Sequence, residues 1–191
     1  KKFFAGVLAA AMMLTVGATA VLATEPAPAT GETDNNAVTY TPSETNVDLG
    51  IKKNYKVEKG TAPKEDFTFS VTYVSDKSKP YTSTYTYTGT KTVKFEENMT
   101  AKDVAYTGSL GIKISDFGLP AGPGKYCFEI KEDVPANKTP GVTYGETTRY
   151  LVITVANNND LTGYVYYAQL YDSSYSPAAS IKDKATCTKV P

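Results

Sequence analysis

The chain has 191 residues, and its 20 lysine and arginine residues balance 20 aspartate and glutamate residues, so the formal net charge is zero. A chain without a basic excess has no net attraction to a polyanion, which argues against nucleic acid as a partner. The sequence contains no histidine and only two cysteines. These counts exclude a Ser-His-Asp triad and disfavour a zinc site, so we predict no metal, no cofactor and no enzymatic activity.

The N-terminal segment, residues 1–23, begins with two lysines and continues as an uncharged apolar run. Val21 and Ala23 are small residues at the places where a signal peptidase needs them, so we predict a secretory signal peptide. A membrane anchor is the alternative reading, because about 20 apolar residues suffice to cross a bilayer. We favour the signal peptide because alanine and glycine dilute the run and a polar segment follows it.

The next segment, residues 24–45, is rich in proline, alanine and threonine and has almost no apolar periodicity, so we predict a flexible linker. Residues 46–191 are long enough for one domain. In an exported chain Cys127 and Cys187 could form a disulfide. Cys127 alternates away from the apolar face of its segment, so the two thiols need not meet, and we interpret Cys127 as a strand-surface residue.

The folded part consists of short alternating segments separated by glycine, proline and asparagine turns, a pattern typical of β-strands. Beyond the signal peptide no segment has helical periodicity. Eight or nine short strands in one domain predict an all-β sandwich or barrel. The predicted strands are 47–57, 67–74, 81–88, 90–95, 110–114, 125–132, 147–155, 163–171 and 181–190.

Glu132 is the first candidate for chemistry. Residues two apart on a strand share a face, which places Glu132 beside Tyr126, Phe128 and Ile130. A carboxylate on an aromatic face is unfavourable unless a partner pairs with it or it is protonated. The alternation therefore predicts a buried, partnered carboxyl group.

Three segments carry a resemblance to a known family: IKKNYKVEKGTAPKEDFTFSV at 51–71, LPAGPGKYCFEIKE at 119–132 and TPGVTYGETTRYLVITV at 139–155. In order and spacing together they resemble the isopeptide-linkage domain of Gram-positive pilins and related cell-wall surface proteins. The resemblance covers roughly residues 46–155, with a weaker continuation to the end. It implies an Ig-like antiparallel β-sandwich.

The resemblance also implies a reaction. In such domains a lysine on the first strand condenses with an asparagine on the last strand and releases ammonia, and a neighbouring glutamate promotes the step. Lys53 falls at the lysine, with Lys52 as a neighbour that would point the other way, and Glu132 falls at the glutamate. An apolar core favours a neutral, nucleophilic amine, and a carboxyl group beside it can shuttle protons.

The acyl acceptor is left unassigned, because no asparagine follows Asn159. The alignment with the family places Lys189 at the asparagine position, and Asp183 is a weak alternative acceptor. Three explanations stay open. The acceptor strand lies beyond the given sequence, an ion pair between Lys53 and Glu132 replaces the amide, or Asp183 or another side chain substitutes.

Two functions remain. The first is a structural one: a secreted, cell-wall or cell-surface protein, pilin-like or part of an adhesin stalk, whose partners are other pilin or surface subunits and a sortase. The second is a ligand-binding adhesin module that presents long loops or a sheet rich in tyrosine and threonine, including Tyr81, Tyr85 and Tyr87, to a host or cell-surface ligand. In both, the signal peptide provides the single membrane contact.

Overall fold

The computed structural model describes residues 37–96, 99–145, 148–175 and 188–190. Within these ranges the chain forms strands and three short 3-10 turns, so the predicted all-β fold is confirmed. The predicted signal peptide lies outside the described residues. The strands are β1 Val38–Tyr40, β2 Ile51–Tyr55, β3 Thr61–Ala62, β4 Glu65–Tyr73, β5 Thr88–Phe95, β6 Met99–Thr100, β7 Tyr106–Ser109, β8 Gly124–Glu132, β9 Arg149–Asn157, β10 Tyr164–Tyr171 and β11 Thr188–Val190.

The strands form a sandwich-like arrangement of two principal sheets. The larger sheet has the order β1-β10-β9-β8-β4-β5 and is antiparallel throughout. The smaller sheet has the order β11-β2-β7, in which β11 runs parallel to β2 and β7 antiparallel to it. A two-stranded ribbon of β3 and β6 accompanies them. Among the described residues, no helix has the length and apolar character that a bilayer crossing requires.

Period-two alternation builds the core from the inner faces of both sheets, as expected for packed strands. The five inner positions of β4, from Glu65 to Tyr73, alternate with more exposed ones. The largest side chains that are almost completely buried are Tyr40, Phe67, Phe69, Tyr126, Phe128, Ile130, Leu151, Ile153 and Leu170 from the larger sheet, with Leu49, Ile51 and Ile112 from the opposite side.

The predicted linker extends too far. Val38–Tyr40 is strand β1, paired with β10, and Pro42–Glu44 forms a 3-10 turn, so this part of residues 24–45 belongs to the fold. Tyr40 is 0% exposed and packs into the core. The composition misled the prediction, because only two inward residues, Val38 and Tyr40, carry the apolar signal of a three-residue strand.

The predicted strand over residues 81–88 is also wrong, since β5 begins at Thr88 and the preceding residues form bends and turns. Tyr85 and Tyr87 are half-buried and pack against the core. The Tyr85 hydroxyl donates a hydrogen bond to the Phe117 carbonyl oxygen at 2.7 Å. The alternation of tyrosine and threonine therefore belongs to a loop and not to a strand, and the Tyr85 and Tyr87 rings of this loop pack against the core.

The predicted strand over residues 110–114 is wrong for a different reason. The strand lies earlier, at β7, and Gly111 adopts a positive φ of 62°, which interrupts a regular ladder. Leu110 and Ile112 are nevertheless buried, because isolated main-chain hydrogen bonds hold this loop to residues 49 and 51. The segments predicted at 67–74, 90–95, 125–132, 147–155 and 163–171 correspond to β4, β5, β8, β9 and β10.

The burial of Tyr40 makes the corrected boundary testable. We expect Tyr40→Ala to lower the free energy of unfolding by about 3–5 kcal/mol, the usual cost of deleting a buried aromatic ring. Thr39→Ala is the matched control, because Thr39 is exposed on the same strand and its replacement should change stability by less than about 0.5 kcal/mol. Urea unfolding followed by fluorescence measures both. Equal free energies of unfolding for the two variants would show that residues 38–40 belong to the linker and not to the folded domain.

Candidate functional site

Lys53 and Glu132 meet inside the sandwich, although 79 residues separate them in sequence. Lys53 lies on β2 of the smaller sheet and Glu132 at the end of β8 in the larger sheet. The Lys53 Nζ atom donates a hydrogen bond to Glu132 Oε2 at 2.7 Å, and the two side chains are 5% and 1% exposed. The pair therefore joins the two sheets across the core.

Strand alternation selects the lysine. On β2 the buried positions are Ile51, Lys53 and Tyr55, whereas Lys52 and Asn54 are only half-buried. Residues one apart point to opposite faces of a strand, so Lys52 cannot take the inward place of Lys53.

The ring of Phe67 forms the floor beneath the ammonium group, with Lys53 Nζ at 4.4 Å from the ring centroid. Tyr55, Phe95 and Tyr144 pack around Phe67, with ring centroids 5.1 to 5.7 Å from it. An aromatic face attracts a cation, and this attraction offsets part of the cost of removing the ammonium from water. The surroundings thus exclude water and hold the charge in one place.

The second oxygen of Glu132 also has a partner. Glu132 Oε1 accepts a hydrogen bond from the main-chain N–H of Gly145 at 3.0 Å. Gly145 belongs to the loop that connects β8 to β9, so this loop closes over the site. A carboxylate held at both oxygens has a defined orientation, which a proton-transfer group needs.

A cleft of about 610 Å³ opens beside Lys53. Its walls are the continuous segment 53–59 and the return of the β8–β9 loop from Pro140 to Gly145, with Thr61, Ala62 and Pro63 at one end. Lys53 is one of the residues that line this cleft, whereas Glu132 does not line it and both side chains are almost completely buried.

The acceptor positions named from sequence are placed differently. The backbone register of the parallel pair β11 and β2 sets Lys189 opposite Lys52 and Val190 opposite Lys53. The alignment that places Lys189 at the acceptor position is therefore one residue away from the register. Asp183 and Cys187 lie outside the described residues, so the disulfide between Cys127 and Cys187 stays a prediction.

The sequence suggested that Cys127 is a strand-surface residue, and this prediction is wrong because the side chain is buried. It does face away from the main core, but it is 0% exposed, in a second small cluster with Val152 and Tyr171. Tyr175, which packs against this cluster, stacks on Tyr171 with ring centroids 4.7 Å apart. The period-two argument gave the correct face, and Val74, Tyr150 and Tyr175 pack over it.

Sequence reasoning missed Glu65. It opens β4, is 9% exposed, and accepts a hydrogen bond from the Tyr144 hydroxyl at 2.7 Å. The argument that singled out Glu132 could have found it, because Glu65 shares the inward parity of Phe67 and Phe69. Elsewhere in the described ranges, no three histidine, cysteine, aspartate or glutamate side chains come together as a metal site would require.

Comparison with known proteins gave one finding. The family model described as FctA, Spy0128-like isopeptide containing domain, matches residues 49–176, more than half of the chain. The matched span contains both Lys53 and Glu132, whereas β1 and β11 lie outside it. No curated protein and no solved structure matches the chain.

The buried pair predicts an asymmetry between single and double substitution. Glu132→Ala should lower the free energy of unfolding by about 3–5 kcal/mol, because it leaves the Lys53 ammonium buried without its counter-charge. In a chain that carries no amide at Lys53, replacing both residues by methionine should recover most of that loss, because a well-packed apolar pair needs no counter-charge. Urea unfolding with Lys131→Ala, an exposed neighbour on β8, as control would measure this. An unchanged free energy of unfolding in Glu132→Ala would contradict the buried ion pair.

The burial of Cys127 predicts a protected thiol. Burial raises the pKa of the Cys127 thiol from 9.0 to about 12. The unfolded chain loses this proton first, so the thiol contributes stability that is full below about pH 9 and is lost as the pH rises towards 12. In the Cys187→Ser variant at pH 8, alkylation by iodoacetamide should be slow when the protein is folded and fast in urea. Equal rates would show that Cys127 is open to solvent.

Proposed function

This chain belongs to the FctA family of Spy0128-like isopeptide-containing domains, and from that premise we propose that it is a load-bearing subunit braced at Lys53 and Glu132. The family consists of pilin-like structural domains of the cell surface, which associate with other pilin subunits. The finer proposal concerns which residues make the brace. A single observation carries it: a lysine amine and a glutamate carboxylate, both buried, lie 2.7 Å apart between the two sheets.

In the proposed reaction Lys53 is the nucleophile. Its ammonium first transfers a proton to Glu132 Oε2 along their hydrogen bond. The neutral amine then attacks the side-chain carbonyl carbon of the acceptor, forming the new C–N bond. Glu132 gives this proton to the leaving nitrogen or oxygen as the acceptor's own C–N or C–O bond breaks, and it then takes up the second proton that the attacking nitrogen loses on becoming an amide. One ammonia leaves if the acceptor is a carboxamide, and one water leaves if it is a carboxyl group.

Proximity lowers the barrier to this reaction, because reacting groups that the fold holds in contact need no external enzyme. The strand order favours an acceptor on the last strand, since β11 and β2 are parallel neighbours. Val190, opposite Lys53, has no side-chain carbonyl group. The acceptor therefore comes from another position, and Asp183 is the carboxyl candidate that the sequence offers.

The mechanical consequence follows from where the brace lies. β2 is near the beginning of the domain and β11 follows β10, the last strand of the larger sheet. A pull on the two ends of the domain would act on β1, which pairs with β10, and on β11, whose pairing with β2 spans three residues. A covalent amide from Lys53 to an acceptor in the segment after β10 would carry the load in place of the hydrogen bonds between β2 and β11. In this proposal the signal peptide directs export of the subunit, and a sortase links it to other pilin or surface subunits.

The ligand-binding alternative has little surface to use among the residues named for it. Tyr85 and Tyr87 pack against the core, whereas Tyr81 is 62% exposed. One exposed ring is not a binding face by itself, because isolated apolar residues are common on protein surfaces. The structural role is therefore the better supported of the two.

Intact mass spectrometry tests the brace. We expect the purified chain to weigh one ammonia or one water less than its sequence, and the linked peptides to identify the acceptor after proteolysis. Glu132→Ala and Lys53→Arg should restore the full mass, because the first removes the proton carrier and the second removes the nucleophile.

Lys52→Arg is the matched control for this experiment, since Lys52 is the half-buried neighbour on the same strand and its replacement should preserve the mass loss. If the chain without substitutions has the full mass calculated from its sequence, the amide is contradicted. Loss of the bond in Lys52→Arg together with an intact bond in Lys53→Arg would move the site to the other lysine.

A further inference from the structure

A second buried carboxylate shares the inner face of the site. Glu65 lies two residues before Phe67 on β4, whose ring supports the Lys53 ammonium. Its Oε1 accepts the hydrogen bond from Tyr144, which is itself 8% exposed. The Tyr144 ring packs against Phe67 with centroids 5.7 Å apart. Buried polar groups keep such partners, so Glu65 holds the phenol at a defined place.

Tyr144 in turn fixes the loop that covers the site. Its hydroxyl oxygen accepts a hydrogen bond from the Thr139 main-chain N–H at 3.3 Å, which closes the turn through Gly141, where φ is 82°. The next residue, Gly145, donates its N–H to Glu132 Oε1. The peptide unit between residues 144 and 145 is planar, so a fixed Tyr144 sets the direction of the Gly145 N–H.

We propose that Glu65 and Tyr144 are positioning residues for Glu132. They act through Gly145, whose N–H holds Oε1 so that Oε2 stays towards Lys53. The link from Glu65 to Glu132 thus runs through one phenol, one peptide unit and one main-chain hydrogen bond. The role in bond formation rests on the proposed function, whereas the orientation of the carboxylate does not.

Such support has a chemical reason. Lysine has a long flexible stem, so Lys53 does not orient the carboxylate by itself. Proton transfer needs donor and acceptor within about 2.6–3.2 Å, and the Glu132 carboxylate can leave that range by turning about its terminal bond. The Gly145 N–H prevents this rotation only while the loop remains anchored at Tyr144.

Four variants of the whole chain separate positioning from stability. Tyr144→Phe removes the hydroxyl and keeps the ring on Phe67, and Glu65→Ala breaks the same link from its other end. Glu65→Gln keeps an acceptor oxygen for the phenol and should rescue. Tyr106→Phe is the matched control, because the Tyr106 hydroxyl donates to the Thr100 carbonyl oxygen at 2.9 Å and takes no part in this link.

The first measurement is the Gly145 amide resonance in glycine-labelled protein. We expect Tyr144→Phe and Glu65→Ala to shift it and to speed its hydrogen exchange by about tenfold or more, since the local hydrogen bond opens while the domain stays folded. Glu65→Gln and Tyr106→Phe should leave it as in the parent chain. A lower melting temperature with an unchanged Gly145 resonance would show that Tyr144 is merely structural and would overturn the proposal.

The second measurement is the time course of the mass loss after refolding. Tyr144→Phe should slow it by about tenfold or more, because misplacing a reacting group by about 1 Å can cost about 10²-fold. A parent rate in Tyr144→Phe would overturn the positioning role. A parent chain that never loses mass, with a shifted Gly145 resonance in Tyr144→Phe, would contradict the proposed function and support the orientation of the carboxylate.

Discussion

The structure depends on a buried pair of opposite charges between its two sheets. Burying either charge alone would be strongly unfavourable, so Lys53 on β2 and Glu132 on β8 require each other. Their contact fixes how the smaller sheet lies over the larger one, because a slip of one residue in either strand would turn its charge towards the opposite face. Apolar packing alone tolerates many arrangements, whereas a hydrogen-bonded ion pair tolerates few.

The surroundings of the pair hold both charged groups in defined positions. Phe67 lies beneath the ammonium, the Gly145 N–H holds one carboxylate oxygen, and a cleft lies beside Lys53. The span that matches the family, residues 49 to 176, includes Lys53, Glu132, Phe67 and Gly145.

The period-two alternation predicted correctly which way strand side chains point. It did not predict which of these side chains other segments of the chain bury. It placed Glu132 inward and Cys127 outward, and both orientations hold. It could not tell that the chain after β10 returns over Cys127, nor that residues 81–87 close the edge of the core as a loop. Each of these outcomes depends on contacts between segments far apart in sequence, to which local alternation is insensitive.

The sequence by itself determined the all-β class, the family and the identity of the two residues that meet, because side-chain parity along a strand and the order of motifs are local properties. The tertiary structure alone decided that β1 joins the larger sheet, that Val190 and not Lys189 lies opposite Lys53, and that Glu65 reaches the site through Tyr144. The physical reason is that register and burial are set by which strands become neighbours. That choice is made by the whole chain when it packs its core.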